Sequence, residues 1–261
     1  MAEERRATGR GGASSLRTHA VSSAVGELVR AQSAQLGRPL QVLDLGGGTG
    51  GLAVPLAELG HSITVVDPSP DALAALERRA GEAGVAGLIR ARQGDADSLA
   101  DAGSTDPVGG FDLVCCHGVL EVVDDPAATL AAVGAALAPG GHLSVLVTGR
   151  LAVVLAKVLA GEFGQARDVL TSPAGRWGPG DPLPRRFDLT QLRRLLEDNG
   201  FTIEQLHGIR IFADLAPSGS LDSAADRAAF LDLEQAVAGH TEHAATLGAL
   251  GAHLHALARR I

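Results

Sequence analysis

Lysine is almost absent from this 261-residue chain: Lys157 is the only one, so 21 of the 22 basic residues are arginine. Acidic residues number 30, and the net charge of −8 provides no general electrostatic attraction for nucleic acid. With 34 glycines and abundant alanine, the arginine bias resembles a coding bias more than an adaptation to a polyanion. Cysteine is scarce too. Cys115 and Cys116 are adjacent on an apolar run, and neighbouring strand residues point to opposite faces, which argues against a disulfide between them. They read as two small core residues, not as a redox or metal pair. No apolar run approaches the ~20 residues of a membrane span; the nearest, Leu151 to Ala160, is interrupted by Lys157. Met1 to Ser15 has charge and glycine but no apolar signal-peptide core. A reducing cytoplasm and no membrane partner are therefore expected.

What is present begins with Val42-Leu43-Asp44-Leu45-Gly46-Gly47-Gly48-Thr49-Gly50-Gly51. An apolar strand ends in an acid and breaks into a glycine loop, where backbone can approach a ligand because no Cβ intrudes. One helix-length later Ile63-Thr64-Val65-Val66-Asp67 repeats the acid-tipped strand. Asp67 lies 21 residues beyond Gly46, placed to accept the two hydroxyls of a ribose. The pair predicts a nucleoside-cofactor site at the carboxyl ends of parallel strands. Gly46-x-Gly48-x-x-Gly51 also fits the dinucleotide fingerprint. Asp44 separates the options, since a carboxylate there suits a cationic ligand end and suits a diphosphate poorly.

Alternation of strand and helix continues along the chain. A helix is expected over Leu16 to Leu36, ended by Gly37-Arg38-Pro39. Strands follow at 41–45, 62–67 and 88–92, with helices at 50–59 and from Ser69-Pro70 to Gly84. Phe111 to His117 is a fourth strand, 126–137 a helix, and Leu137-Ala138-Pro139-Gly140-Gly141 closes it ahead of a strand at 143–147. This is a mainly parallel sheet with helices on both faces. Afterwards the alternation breaks: Leu151 to Gly161 is helical, and 171–188 is an irregular Pro/Gly/Arg segment. Irregular chain of that length reads as a lid or recognition insertion. Helix returns over Leu189 to Asn199 and strand over Phe201 to Leu206. For 244–260, alanine content favours helix. Residues 1–14 are expected to be disordered.

The acid-tipped first strand with its glycine loop, Asp67, the fourth strand and Pro139-Gly140-Gly141 together resemble the class I S-adenosylmethionine-dependent methyltransferases. Within them the chain is similar to the tRNA 5-carboxymethoxyuridine methyltransferases over about residues 16–261. Leu16-Arg17, His117-Gly118-Val119-Leu120-Glu121, Leu159-Ala160-Gly161-Glu162-Phe163 and Gly208-Ile209-Arg210-Ile211-Phe212 carry that likeness, as do Leu247-Gly248, His255 and Ala258-Arg259. The resemblance implies a Rossmann-like α/β fold with a mainly parallel seven-stranded sheet, one domain over 15–261, and 150–188 as its lid or substrate-recognition insertion. It also implies that Gly251 to Ala258 is the last, antiparallel strand.

S-adenosylmethionine is the implied cofactor. The implied contacts are Arg17, Asp44, Gly46, Gly47, Asp67, Ala96, Asp97 and His117. Asp95 competes with Asp97 for the place beside adenine, and the position of His117 also permits a general base. No catalytic residue is assigned. His240 and His243 lack a clear third ligand and read as surface residues, so no metal is expected. The methyl acceptor is expected to be tRNA or a small carboxylate-bearing molecule, oriented by Arg176, Arg185, Arg186 or Arg210. The lysine-rich run that the tRNA family carries in this insertion is missing here. An NAD-dependent oxidoreductase and a non-catalytic cofactor-binding protein are the competing classes.

Overall fold

The structure, a computed structural model, describes residues 21–96, 99, 110–217 and 219–261. The expectations for 1–14, Arg17 and Asp97 lie outside the described residues. Residues 21–36 form α1, which buries Val25 and Val29 one turn apart. The amide of Gly37 closes it onto Ser33 O, an ordinary glycine termination.

The alternating segment runs β1 (Gln41–Leu45), α2 (Ala53–Glu58), β2 (Ser62–Asp67), α3 (Pro70–Glu82), β3 (Ile89–Gln93), β4 (Phe111–His117), α4 (Pro126–Ala136) and β5 (Leu137–Thr148). Two starts follow a shared recipe. Ser69 accepts the Ala72 amide ahead of Pro70, and Asp125 accepts the Ala127 and Ala128 amides ahead of Pro126. Proline at the first helical position gives up only an amide that has no intrahelical partner. β1 lies between β2 and β4, parallel to both, with Leu45 level with Val66 and Cys116. Burial on both faces explains the near-continuous apolar runs of these strands. Cys115 and Cys116 are free and fully buried in β4, and burial pushes both thiols up, away from the reactive thiolate.

One boundary differs from expectation. Pro139-Gly140-Gly141 does not separate helix from strand. It lies within β5, where the register against β4 shifts between Phe111 and Leu113. At the entry to β4, Asp112 receives both Nη groups of Arg38 at 2.7 and 2.8 Å and the Gln41 amide at 2.8 Å. Burial alone would raise this carboxyl, but the Arg38 and Gln41 donors outweigh it and hold it below the usual carboxylate range.

The chain divides into two compact units. One holds Ser22–Leu146, Arg193–Gln205 and Ala256–Ile261; the other includes Val147–Leu192 and Leu206–His255. In the second, α5 (Arg150–Leu159) and α6 (Phe163–Thr171) precede the irregular stretch expected before residue 188. α6 escaped the sequence reading because it buries only Ala166 and Val169. The stretch after it is organised by a buried ion pair. Asp181 binds Arg186 through both oxygens at 2.7 and 2.9 Å and also accepts the Trp177 and Leu183 amides. The Arg186 guanidinium lies 4.5 Å from the Trp177 ring centre, and Lys157 Nζ lies 4.2 Å from it.

Beyond it come α7 (Leu189–Asp198), β6 (Phe201–Ile209), α8 (Ala224–Ala238), α9 (Ala244–Gly248) and β7 (His253–Arg260). α8 carries no apolar stripe, since Val237 alone is buried, and sequence periodicity did not reveal it. The C-terminal segment divides between the two readings, with helix over 244–248 and strand over 253–260. The sheet has seven strands in the order β3-β2-β1-β4-β5-β7-β6. Ile261 donates to Gly200 before β6, and Ala252 donates to Arg210 after it, so β7 runs antiparallel to β6.

Removing one half of a buried ion pair strands the other charge and costs about 3–5 kcal/mol. Asp181→Ala should therefore lower the unfolding free energy by about that amount. It should also shift the emission of Trp177, the only tryptophan, under native conditions. A denaturant melt with an unchanged midpoint would show that the pair is dispensable.

Candidate active site

The carboxyl ends of β1, β2 and β4 lie side by side, at the point where the strand order reverses between β1 and β4. Open parallel sheets bind ligands at such a switch point. Asp44 is 3% exposed, and its Oδ2 has no hydrogen-bond partner among the described residues. Burial first, and the neighbouring Asp67 charge second, raise its carboxyl to about 7. A buried carboxylate oxygen without a donor is costly. Nothing in the loop above it supplies one.

That loop is shaped by what lies beneath it. A Cβ at Gly47 would stand 2.5 Å from Asp44 Oδ2 and 2.9 Å from Val65 Cγ1. Gly46 adopts φ +70°, and a Cβ there would fall 2.7 Å from Val119 in the loop after β4. The sequence reading attributed these glycines to the approach of a ligand. The structure shows that the protein's own side chains already exclude a Cβ at both positions. Gly46 N–H donates to Val66 O at 2.7 Å, and Arg79 anchors the far side by donating to Thr49 O at 2.9 Å.

Asp67 is 8% exposed at the tip of β2. Its Oδ2 accepts the Gly48 amide and its Oδ1 the Ser69 amide, both at 2.9 Å. Each oxygen keeps a lone pair for a further donor. The segment after β3 turns back onto the same place: Gly94 donates to Asp67 O at 3.2 Å, and Ala96 beyond it is buried. At the end of β4, His117 Nε2 is 2.8 Å from Ser144 Oγ on β5. Among the predicted residues, Asp44, Gly46, Gly47 and Asp67 meet directly, and Ala96 and His117 stand on the adjoining strand ends. Val119, Arg79 and Ser144 were missed. They act by packing or holding the loops, and no local motif signals that.

The predicted arginines fare differently from one another. Arg186 is 4% exposed and committed to Asp181, so it is not an available acceptor contact. Arg176 donates to Gly178 O at 3.4 Å. Arg210 lines a cavity within its own unit. His240 and His243 are exposed, with rings stacked 4.6 Å apart, and no metal-binding cluster occurs among the described residues.

A glycine loop over a buried acid, with a second acid at the next strand tip, is placed as a ligand site is in a doubly wound α/β fold. A family described as a methyltransferase domain matches residues 17–206, and the chain belongs to that family. Over 175 residues it is 32% identical to a tRNA 5-carboxymethoxyuridine methyltransferase of Escherichia coli, covering 67% of this chain and 64% of that protein. It is 36% identical over 122 residues to a ubiquinone biosynthesis O-methyltransferase of Azorhizobium caulinodans, covering 47% of this chain and 46% of the relative. The chain thus spans less than two thirds of the length of these curated relatives. The fold matches magnesium protoporphyrin IX methyltransferase from Synechocystis, solved with bound S-adenosylhomocysteine. The TM-score there is 0.59 at 18% identity, over 94% of this chain and 84% of that one. A putative sarcosine dimethylglycine methyltransferase from Galdieria sulphuraria matches with a TM-score of 0.55 at 16% identity, over 90% and 85% of the two chains.

Two outcomes test this geometry. Gly47→Ala should destabilise the ligand-free protein by about 1–3 kcal/mol, because the methyl group overpacks against Asp44 and Val65; a thermal melt without cofactor reads this directly. The second concerns pH. The folded carboxyl of Asp44 titrates near 7, above its ordinary 3.8, so between these values the folded state holds the extra proton. Its contribution to stability therefore falls as pH rises through that window. Asp44→Asn should remove this decline, and melts from pH 4 to 8 on both proteins check it.

Proposed function

We propose that this chain is an S-adenosylmethionine-dependent methyltransferase acting on a carboxylate or another oxygen nucleophile. The unpartnered, buried oxygen of Asp44 carries this reading. An ammonium group supplies both the counter-charge and the hydrogen bond that this oxygen lacks. The amino-acid end of S-adenosylmethionine presents that group. The remaining residues fit the rest of the molecule. The Gly46 and Gly47 backbone lies alongside the amino-acid moiety, Asp67 takes the ribose hydroxyls, Ala96 flanks the adenine, and His117 completes the contacts. A dinucleotide fits less well, since its diphosphate would face the Asp44 carboxylate.

When bound, the cofactor supplies an electrophilic methyl group on a sulfonium. The chain's task is then alignment, with reacting atoms held ~3–3.5 Å apart and in line. A carboxylate acceptor is ionised at pH 7, so no protein base is needed. His117 serves as a positioning group in this scheme, its ring fixed by Ser144. The segment 150–188 acts as lid and recognition insertion, stiffened by the Asp181–Arg186 pair.

The acceptor follows from charge. The tRNA relative is named for a carboxyl-bearing uridine and the ubiquinone relative for O-methyl transfer. Against tRNA stand the net charge of −8, the single lysine and the engagement of Arg186 by Asp181. These favour a small acceptor.

Asp67→Ala should weaken S-adenosylhomocysteine binding at least ~10-fold, because a charge-assisted hydrogen bond contributes roughly 1.5–3 kcal/mol. Calorimetry with S-adenosylhomocysteine and with NAD, on wild type and variant, measures this; tighter binding of NAD would reject the methyltransferase reading. Bulk tRNA titrated at two salt concentrations separates the acceptors. Binding that weakens steeply with salt marks phosphate contacts, and no binding even at low salt removes tRNA.

A further inference from the structure

A second cavity lies wholly within the unit that contains α5 and α6. It measures about 220 Å³ and is walled by Ala152, Val153, Leu155 and Ala156 of α5 together with Ile211, Leu215, Leu250 and Ala252. Thr148, Arg210, Asp214 and His253 complete its lining. At ~30 Å³ for each liquid water, the space corresponds to about seven waters, enough for a single-ring molecule. An apolar wall with a few converging polar groups is the usual composition of a small-molecule site.

Arg210 stands out within it for three reasons. Its φ is +56°, and it is the only non-glycine residue with positive φ among the described residues. This strained conformation is imposed from both sides: Arg210 O accepts the Ala252 amide, and Glu234 of α8 accepts the Ile211 and Phe212 amides at 3.0 and 2.9 Å. Backbone held in a sparsely populated region by surrounding bonds clusters at functional sites. The side chain is largely enclosed, 13% exposed, and its guanidinium pairs at 2.5 Å with an Asp214 whose side chain is 56% exposed. Its Nε is buried with no partner. A guanidinium carries five donors in a planar fork, so the contact with Asp214 leaves capacity for a carboxylate.

We infer that this cavity binds a small single-ring carboxylic acid whose ring lies against the α5 wall and whose carboxylate is gripped by Arg210. The inference goes beyond the proposed function and does not depend on it: the cavity and its arginine stand alone. Enclosure makes the contact selective: Asp214 occupies only part of the guanidinium fork and is itself half exposed, and a neutral isostere offers the remaining donors no charge-assisted bond.

Benzoate and benzamide are the probes, titrated by calorimetry into the full chain saturated with S-adenosylhomocysteine. Benzoate should bind at least ~10-fold more tightly than benzamide. Arg210→Gln should abolish that preference while S-adenosylhomocysteine affinity stays within about twofold of wild type. Ala152→Phe, which fills the apolar wall, should weaken both probes. Arg210→Gly relieves the strained backbone and guards against a folding defect in the Gln variant; it should melt no lower than Arg210→Gln and likewise lose the preference. Equal affinities for the two probes, no benzoate binding, or a preference that survives both Arg210 variants would overturn the assignment. Displacement of bound benzoate by bulk tRNA would also overturn it, replacing the small acid with a nucleic-acid ligand. Failure of S-adenosylhomocysteine to bind, with benzoate selectivity intact, would instead reject the proposed function and leave the cavity standing.

Discussion

A carboxylate enclosed by its own loop governs the carboxyl end of β1. Asp44 sits below Gly47 so closely that no side chain fits between them, and one of its oxygens is left without a donor. The loop therefore takes a shape that packing inside the protein dictates, whether or not a ligand is present. Gly46 is held the same way by Val119. The result is a preorganised loop packed over an acid with one unsatisfied oxygen, and the cost of that oxygen is a driving force available to a cationic ligand. Asp67 contributes in the opposite manner. Its oxygens are already supported by two backbone amides, so it presents a fixed acceptor edge at low reorganisation cost.

Legibility from the sequence tracked periodicity and local chemistry. β1, β2 and β4 were readable because strands buried on both faces are written as continuous apolar runs. α3 and α4 were readable because Ser69-Pro70 and Asp125-Pro126 announce their starts. α8 was not, since almost none of its residues is buried and no apolar stripe marks it. The start of β5 was misplaced because a strand containing proline and two glycines looks like a turn. Only the register shift against β4 shows that it is an irregular strand.

The candidate site shows the same division. Asp44, Gly46, Gly47 and Asp67 were legible because their spacing follows directly from one strand-loop-helix-strand unit. The identity of the useful arginine was not. Four arginines were equal on paper, and tertiary packing separates two of them: Asp181 and Arg186 bury each other completely, whereas the bend held by Glu234 and Ala252 delivers Arg210 to a cavity with a half-exposed partner, Asp214. Sequence reports which charges exist. Only packing reports which pairs are sealed.

The position of β7 has a consequence for how the chain comes to be folded. In the order β5-β7-β6, the strand latest in sequence fills the gap between two earlier ones. During synthesis β5 and β6 must wait, each with an unpaired row of amides and carbonyls, until His253 to Arg260 emerges. Open strand edges of this kind invite pairing with other chains. A nascent chain stalled before residue 253 would therefore be a natural client for holding chaperones, and the sheet would zip shut in a single late step.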